Sequence, residues 1–180
     1  MHSSKRDLSV IQQRLRALDE RRCALLDDVE ALSADRLTAR PLPGKWSILE
    51  IVEHLVLAER HVLRNLPEPS QLVERRRGLE ARIRYPVVIF VLKYGIPVEV
   101  PSPRMVPSGR ASLADLRCRW DESQRWLRSY VDGLGPDSFG RAVFEHPVTG
   151  PLTVAQAIRL DRLHVETHAR QISRLVTLTS

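Results

Sequence analysis

The sequence predicts an all-α protein built as an antiparallel four-helix bundle. Three observations carry this. Four long segments repeat apolar residues at helical spacing, two of them open with a capping box, and no stretch alternates apolar and polar residues over the length of a strand. The 180 residues are read as one domain, 1–180, with enough chain to bury a core.

The first helix is expected over residues 7–34, where Leu8, Ile11, Leu15, Leu18 and Leu25 recur among charged residues. Pro41, Pro43 and Gly44 mark a loop over residues 38–45. Ser47 can then cap a second helix, with Glu50 three residues on to complete the box. Ile48, Ile51, Leu55, Ala58 and Val62 form its apolar stripe, and Pro67 and Pro69 end it. Leu72 to Ile83 reads as helical, with Arg75, Arg76, Arg77, Arg82 and Arg84 solvated, and Pro86 is expected to interrupt it. Val87 to Tyr94 reads equally as a short buried helix or a strand. Pro97, Pro101, Pro103 and Pro107 imply a stiff surface connection. Ser112 caps the third bundle helix, whose apolar side carries Leu113, Leu116, Trp120, Leu127 and Tyr130, and Gly133 and Gly135 stop it. A loop is expected from Phe139 to Leu152. The last helix opens at Thr153 with Gln156 as the second capping box and runs to about Leu178.

The formal net charge is +6 and the sequence pI is about 10.0. Nucleic acid is the first partner such a balance suggests. The charge is diluted by 22 acidic residues, and the arginine run from Arg75 to Arg84 lacks the interleaved aromatics of a single-strand binder. Nucleic acid is therefore ranked last among the partners. Cys23 and Cys118 show no metal-ligand spacing, which fits a reducing cytoplasm. The N-terminal residues lack the apolar core of a secretory signal, and the longest apolar run, Pro86 to Leu92, is too short to span a bilayer.

The residues with most chemistry are histidines. His164 and His168 stand four apart on the last helix, which places two imidazoles on one face about 6 Å apart along the axis. With six histidines in the chain, some pair at this spacing arises by chance roughly one time in six. Placement adds weight, because Ala157, Asp161, His164, His168 and Leu175 share one side of that helix and should face the bundle. His54 lies beside the stripe of the second helix and can supply a third nitrogen. The plainer interpretation of His54 is a half-buried histidine paired with Glu50. Three nitrogens with open positions suit catalytic zinc or nickel better than closed structural zinc. His61 lies two turns beyond His54, about 10 Å along the axis, and is given a surface role. His146 is read as a packing residue before Pro147, and His2 as an unordered terminal residue.

The stretch Gly44-Lys45-Trp46-Ser47-Ile48-Leu49-Glu50-Ile51-Val52-Glu53-His54-Leu55 resembles the signature of the DinB-like superfamily: a tryptophan-serine helix start, then a histidine-leucine pair. The segment from His146 to Thr153, leading to His164, His168, Gln171 and Ile172, is similar to that family's last loop and helix. Lys93-Tyr94-Gly95 and Val106-Pro107-Ser108-Gly109 also resemble family features. The resemblance implies up-down-down-up connectivity, with a long crossover between the second and third bundle helices over residues 67–111. It also implies a divalent metal, often nickel or zinc, on three histidines that map to His54, His164 and His168. Some family members use low-molecular-weight thiols such as bacillithiol or mycothiol.

The expectation is a metal-dependent enzyme on a small-molecule substrate, with small-thiol-dependent S-transfer first. A metal-dependent hydrolase and a non-catalytic stress-response module that binds metal or a small ligand are the alternatives. Asp161, three residues before His164, is the candidate to orient a ring or a bound water, against the plainer interpretation of a solvated helix charge. A homodimer is allowed for, and no membrane partner is expected.

Overall fold

The computed structural model describes residues 2–72, 78–96, 102–135, 138–139, 141–146 and 148–179, without the side chains of residues 2–6, 81, 143 and 144. The bundle helices are α1 (His2–Glu30), α3 (Ile48–Arg64), α5 (Leu113–Asp132) and α6 (Val154–Leu178). A short helix, α2 (Ala34–Thr38), follows α1. The crossover between α3 and α5 contains α4 (Leu79–Tyr94) and two single 3₁₀ turns, Pro69–Gln71 and Pro103–Met105.

Side-chain pairs fix the helix directions. Arg14 reaches the carbonyl of Ala155 and Arg21 the carboxylate of Glu166, so α1 and α6 run parallel. Asp27 meets Arg117 while Arg22 meets Asp121, so α1 and α5 are antiparallel. Glu59 pairs with Trp120, and the carbonyl of Pro67 with the Tyr130 hydroxyl, so α3 and α5 run the same way. These directions give the up-down-down-up order. Two neighbours in sequence, α3 and α5, can be parallel only because the crossover returns the chain to the starting end.

The core is the meeting of four apolar stripes. Ile11, Leu18, Leu25 and Leu26 come from α1, Ile51, Val52 and Leu55 from α3, Leu116 and Trp120 from α5, and Ile158, Val165 and Ile172 from α6, each at most 3% exposed. Both expected capping boxes form: Ser47 with Glu50, and Thr153 with Gln156. Ser112 caps α5 as expected.

Four expectations are corrected. α1 starts at His2 rather than residue 7 and ends at Glu30, so His2 belongs to a helix. The second correction concerns α4, which runs through Pro86 to Tyr94 without interruption. Pro86 is exposed, and on that side the carbonyl its missing N–H leaves unpaired can meet water. Third, Val87 to Tyr94 is helical and is not buried; Val87, Phe90 and Tyr94 lie open. Finally, the expected loop before the last helix holds a two-stranded antiparallel hairpin, β1 (Ala142–His146) and β2 (Gly150–Thr153). Strands this short show no readable alternation. Thr153 is both the end of β2 and the N-cap of α6, so the hairpin aims the last helix. The expectations for Arg75, Arg76, Arg77, Pro97, Pro101 and Pro147 lie outside the described residues.

Candidate metal centre

The start of α3 is held rigidly. Glu50 accepts from the Ser47 backbone N–H at 2.8 Å, and Arg40 forks onto the same carboxylate. This anchors the first turn, so the next turn presents His54 at a fixed height. The His54 ring is 4% exposed and packs beside Trp46, with ring centroids 4.9 Å apart. Trp46 packs against the core at the helix start and so holds its ring beside His54.

The end of the crossover is fastened to α3. Glu53 accepts from the Ser108 hydroxyl at 2.7 Å and the Gly109 N–H at 2.8 Å. Gly109 has φ +70, and a Cβ there would stand 3.3 Å from Glu50 Oε1, so glycine suits the close approach. The latch brings the Met105 carbonyl to His54 Nδ1 at 2.8 Å. A carbonyl only accepts, so Nδ1 carries the proton and Nε2 keeps its lone pair.

On α6 the deepest line is Val154, Ile158, Val165, Ala169 and Ile172. The line of Asp161, His164 and His168 runs beside it and is half-buried. The His164 and His168 rings therefore sit at the edge of the core rather than in its middle. His168 Nδ1 lies 2.9 Å from Gln171 Oε1, which leaves His168 Nε2 free in the same way.

The three side chains converge. His164 Nε2 is 3.4 Å from His54 Nε2 and 3.1 Å from His168 Nε2. One nitrogen from each residue lies within 4.8 Å of the other two. An ion at about 2.0–2.1 Å from each nitrogen would separate them by roughly 2.9 Å at right angles and 3.4 Å at tetrahedral angles. Both separations from His164 fall in that range and the third nitrogen lies within 4.8 Å, so the donor set suits a divalent ion. Among neutral imidazoles, converging lone pairs repel unless a cation or a proton lies between them.

Electrostatics keep the rings neutral. Burial pushes His164 well below the usual histidine range, and charge on His168, His54 or His146 would push it further. Burial and then His54 bring His168 down to about 4, and His54 is lowered by burial. Neutral imidazole is the form that ligates a metal.

A carboxyl pair joins α3 and α6, about one turn of each helix away from the histidines in sequence. Glu59, 4% exposed, accepts from Trp120 Nε1 at 2.7 Å and Gln124 Nε2 at 2.9 Å. Burial and the charge of Asp161 hold Glu59 well above the usual carboxylate range. Burial raises Asp161 to about 7. Asp161 is thus a half-buried group that titrates near neutrality, and the expectation of a solvated helix charge is corrected. Sequence reasoning missed Glu59, because its partners come from α5. It also assigned no role to Gln171, although the i, i+3 spacing from His168 was readable. His61 stays at the half-exposed margin of α3. His146 ends β1, where its Nδ1 accepts from the N–H groups of Val148 and Thr149 at 3.2 and 3.1 Å.

The two sets of groups pull stability in opposite directions. Depressed histidines are less protonated in the fold than in the unfolded chain, so their contribution is lost as pH falls from 6.5 towards 4. A raised carboxyl is more protonated in the fold, so its contribution is lost as pH rises from 3.8 towards 7. Metal-free Asp161→Asn protein is therefore expected to lose melting temperature more steeply than the parent on acidification through this window. Parallel melting curves for the two proteins would contradict the raised Asp161.

The DinB superfamily matches residues 17–172 of the chain. Among solved structures, the chain is similar to YfiT from Bacillus subtilis, described as a probable metal-dependent hydrolase with an unusual four-helix bundle topology. The identity is 18% and the TM-score 0.51, over 97% of this chain and 86% of that one. No curated protein matches the chain.

Proposed function

The chain belongs to the DinB superfamily, and from that premise we propose that it is a metal-dependent enzyme acting on a small molecule, as one domain, in the cytoplasm. The observation that carries this is the convergence of His54, His164 and His168 through nitrogens that Met105 and Gln171 leave free to ligate. These three residues would hold zinc or nickel, with coordination positions left open on the half-buried side. A divalent ion there, on neutral ligands, would favour the deprotonated form of a water or a thiol.

The protein's own groups supply the rest. Met105 and Gln171 hold two rings in the tautomer needed. Asp161, one turn before His164 and raised by burial, is the proposed group to take a proton from the nucleophile and return it to the leaving group. Glu59, held by Trp120 and Gln124, is the second member of a pair that cannot cheaply ionise twice. Free Cys23 and Cys118 accord with a reducing compartment, and no helix among the described residues is long and apolar enough to cross a membrane.

The nucleophile separates two chemistries. A small thiol gives S-transfer, and water gives hydrolysis, which the likeness to YfiT favours. Cobalt-substituted protein distinguishes them. Titration with bacillithiol, mycothiol and glutathione is expected to raise a thiolate charge-transfer band for S-transfer. Ester or amide cleavage without that band assigns hydrolysis, and Asp161→Asn is then expected to slow it about 10²- to 10⁴-fold. If neither activity appears across a broad screen, the enzyme assignment gives way to a non-catalytic metal-binding module.

A further inference from the structure

The bundle helices bury their apolar residues, and α4 does not. On one side Tyr85, Val88, Ile89, Val91 and Leu92 are half-buried. That side rests on α6, where Thr167 donates to the Leu92 carbonyl at 2.6 Å and Arg170 to the Lys93 carbonyl at 2.8 Å. On the other side Leu79, Ile83, Val87, Phe90 and Tyr94 are 76, 66, 54, 55 and 61% exposed. A helix with apolar side chains on two opposite sides, separated by Glu80, Arg82, Arg84 and Lys93, leaves one of those sides for a further partner.

The pattern of the open side points to another helix. Ile83, Val87, Phe90 and Tyr94 follow i, i+4, i+7, i+11, the alternation of fours and threes that forms a helix–helix seam. At ordinary side-chain areas these exposures leave on the order of 600 Å² of apolar surface open, which is high for a monomer and close to one partner's share of a small specific interface. The seam also complements itself. Run antiparallel about a two-fold axis, it sets Val87 opposite Phe90 of the second copy and Ile83 opposite Tyr94, a smaller side chain against a ring at each level. The helix macrodipoles then oppose each other favourably.

We propose that the outer face of α4 is an isologous interface between two copies of this chain. The self-complementary pattern of the seam, rather than charge, argues for a second copy over a lipid surface as the occupant. Arg84 is already paired with Glu80 at 3.0 Å, and Lys93 Nζ sits 5.7 Å from the centroid of the Tyr94 ring. Arg82 also stands exposed beside the seam, so anionic headgroups are the competing occupant that the test separates from a second copy.

Light scattering on the eluting full-length protein at micromolar concentration tests this. The parent is expected to be a dimer. Val87→Glu and Phe90→Glu, each on the exposed side, are expected to weaken association by about tenfold or more, with helical circular dichroism unchanged. A monomeric parent overturns the proposal, and so do glutamate variants that remain dimeric with native helicity. A monomeric parent that sediments with phosphatidylserine vesicles and is released by salt assigns the face to lipid instead.

Discussion

Purified His164→Ala protein is expected to lose its divalent ion. His164 is the vertex of the cluster, since its Nε2 stands 3.4 and 3.1 Å from the other two Nε2 atoms. Removing it leaves two nitrogens that no longer enclose a position. Affinity should fall by on the order of a hundredfold or more, because loss of a mere outer-shell partner already costs about 10- to 100-fold. The consequence is visible in melting. An ion at about a thousandfold its Kd stabilises a protein by about 4 kcal/mol, a rise of roughly 8–16 °C for a domain of this size. The parent should show that rise on adding zinc or nickel, and His164→Ala should not. The metal-free proteins should melt within a few degrees of each other, since the substitution also removes a crowded imidazole. A variant that keeps the ion-dependent rise contradicts the three-histidine centre.

The second large effect is on the fold itself. Trp120 is fully buried, donates to Glu59 at 2.7 Å, and lies under the Arg22 guanidinium at 5.9 Å from the ring centroid. It therefore joins α5, α3 and α1 at one point. Trp120→Ala should destabilise by about 3–5 kcal/mol, from lost burial and the cavity left behind. That corresponds to a melting temperature lower by roughly 6–20 °C. Trp120→Phe keeps most of the packing and removes the indole donor, so a smaller loss of about 1–3 kcal/mol isolates the cost of a less satisfied Glu59. Equal melting of Trp120→Ala and the parent would show that α5 is not held through this residue.

Much of the bundle was legible because its signals are short-range. The capping boxes at Ser47 and Thr153 lie within four residues, and the stripes of α1, α3, α5 and α6 repeat within a turn or two. The pair His164 and His168 was legible for the same reason. Its third partner was not, because 110 residues separate His54 from His164 and periodicity says nothing at that range. The DinB-like signature around Trp46 and His54 supplied the link. Where the surroundings decide, the sequence was silent. Pro86 reads as a helix break, yet exposure makes it tolerable inside α4. Asp161 looks like any helix charge until burial raises its proton affinity. The hairpin at 142–153 is too short to announce itself and is held in place by the buried Ala142 and Leu152.

X-ray absorption at the metal edge of the zinc- or nickel-loaded protein measures the centre most directly. Three imidazole nitrogens at about 2.0–2.1 Å are expected, with the outer-shell imidazole scattering reduced by about a third in any His54→Ala protein that retains metal. A spectrum with no imidazole scattering, or one left unchanged by His54→Ala, would contradict the three-histidine centre.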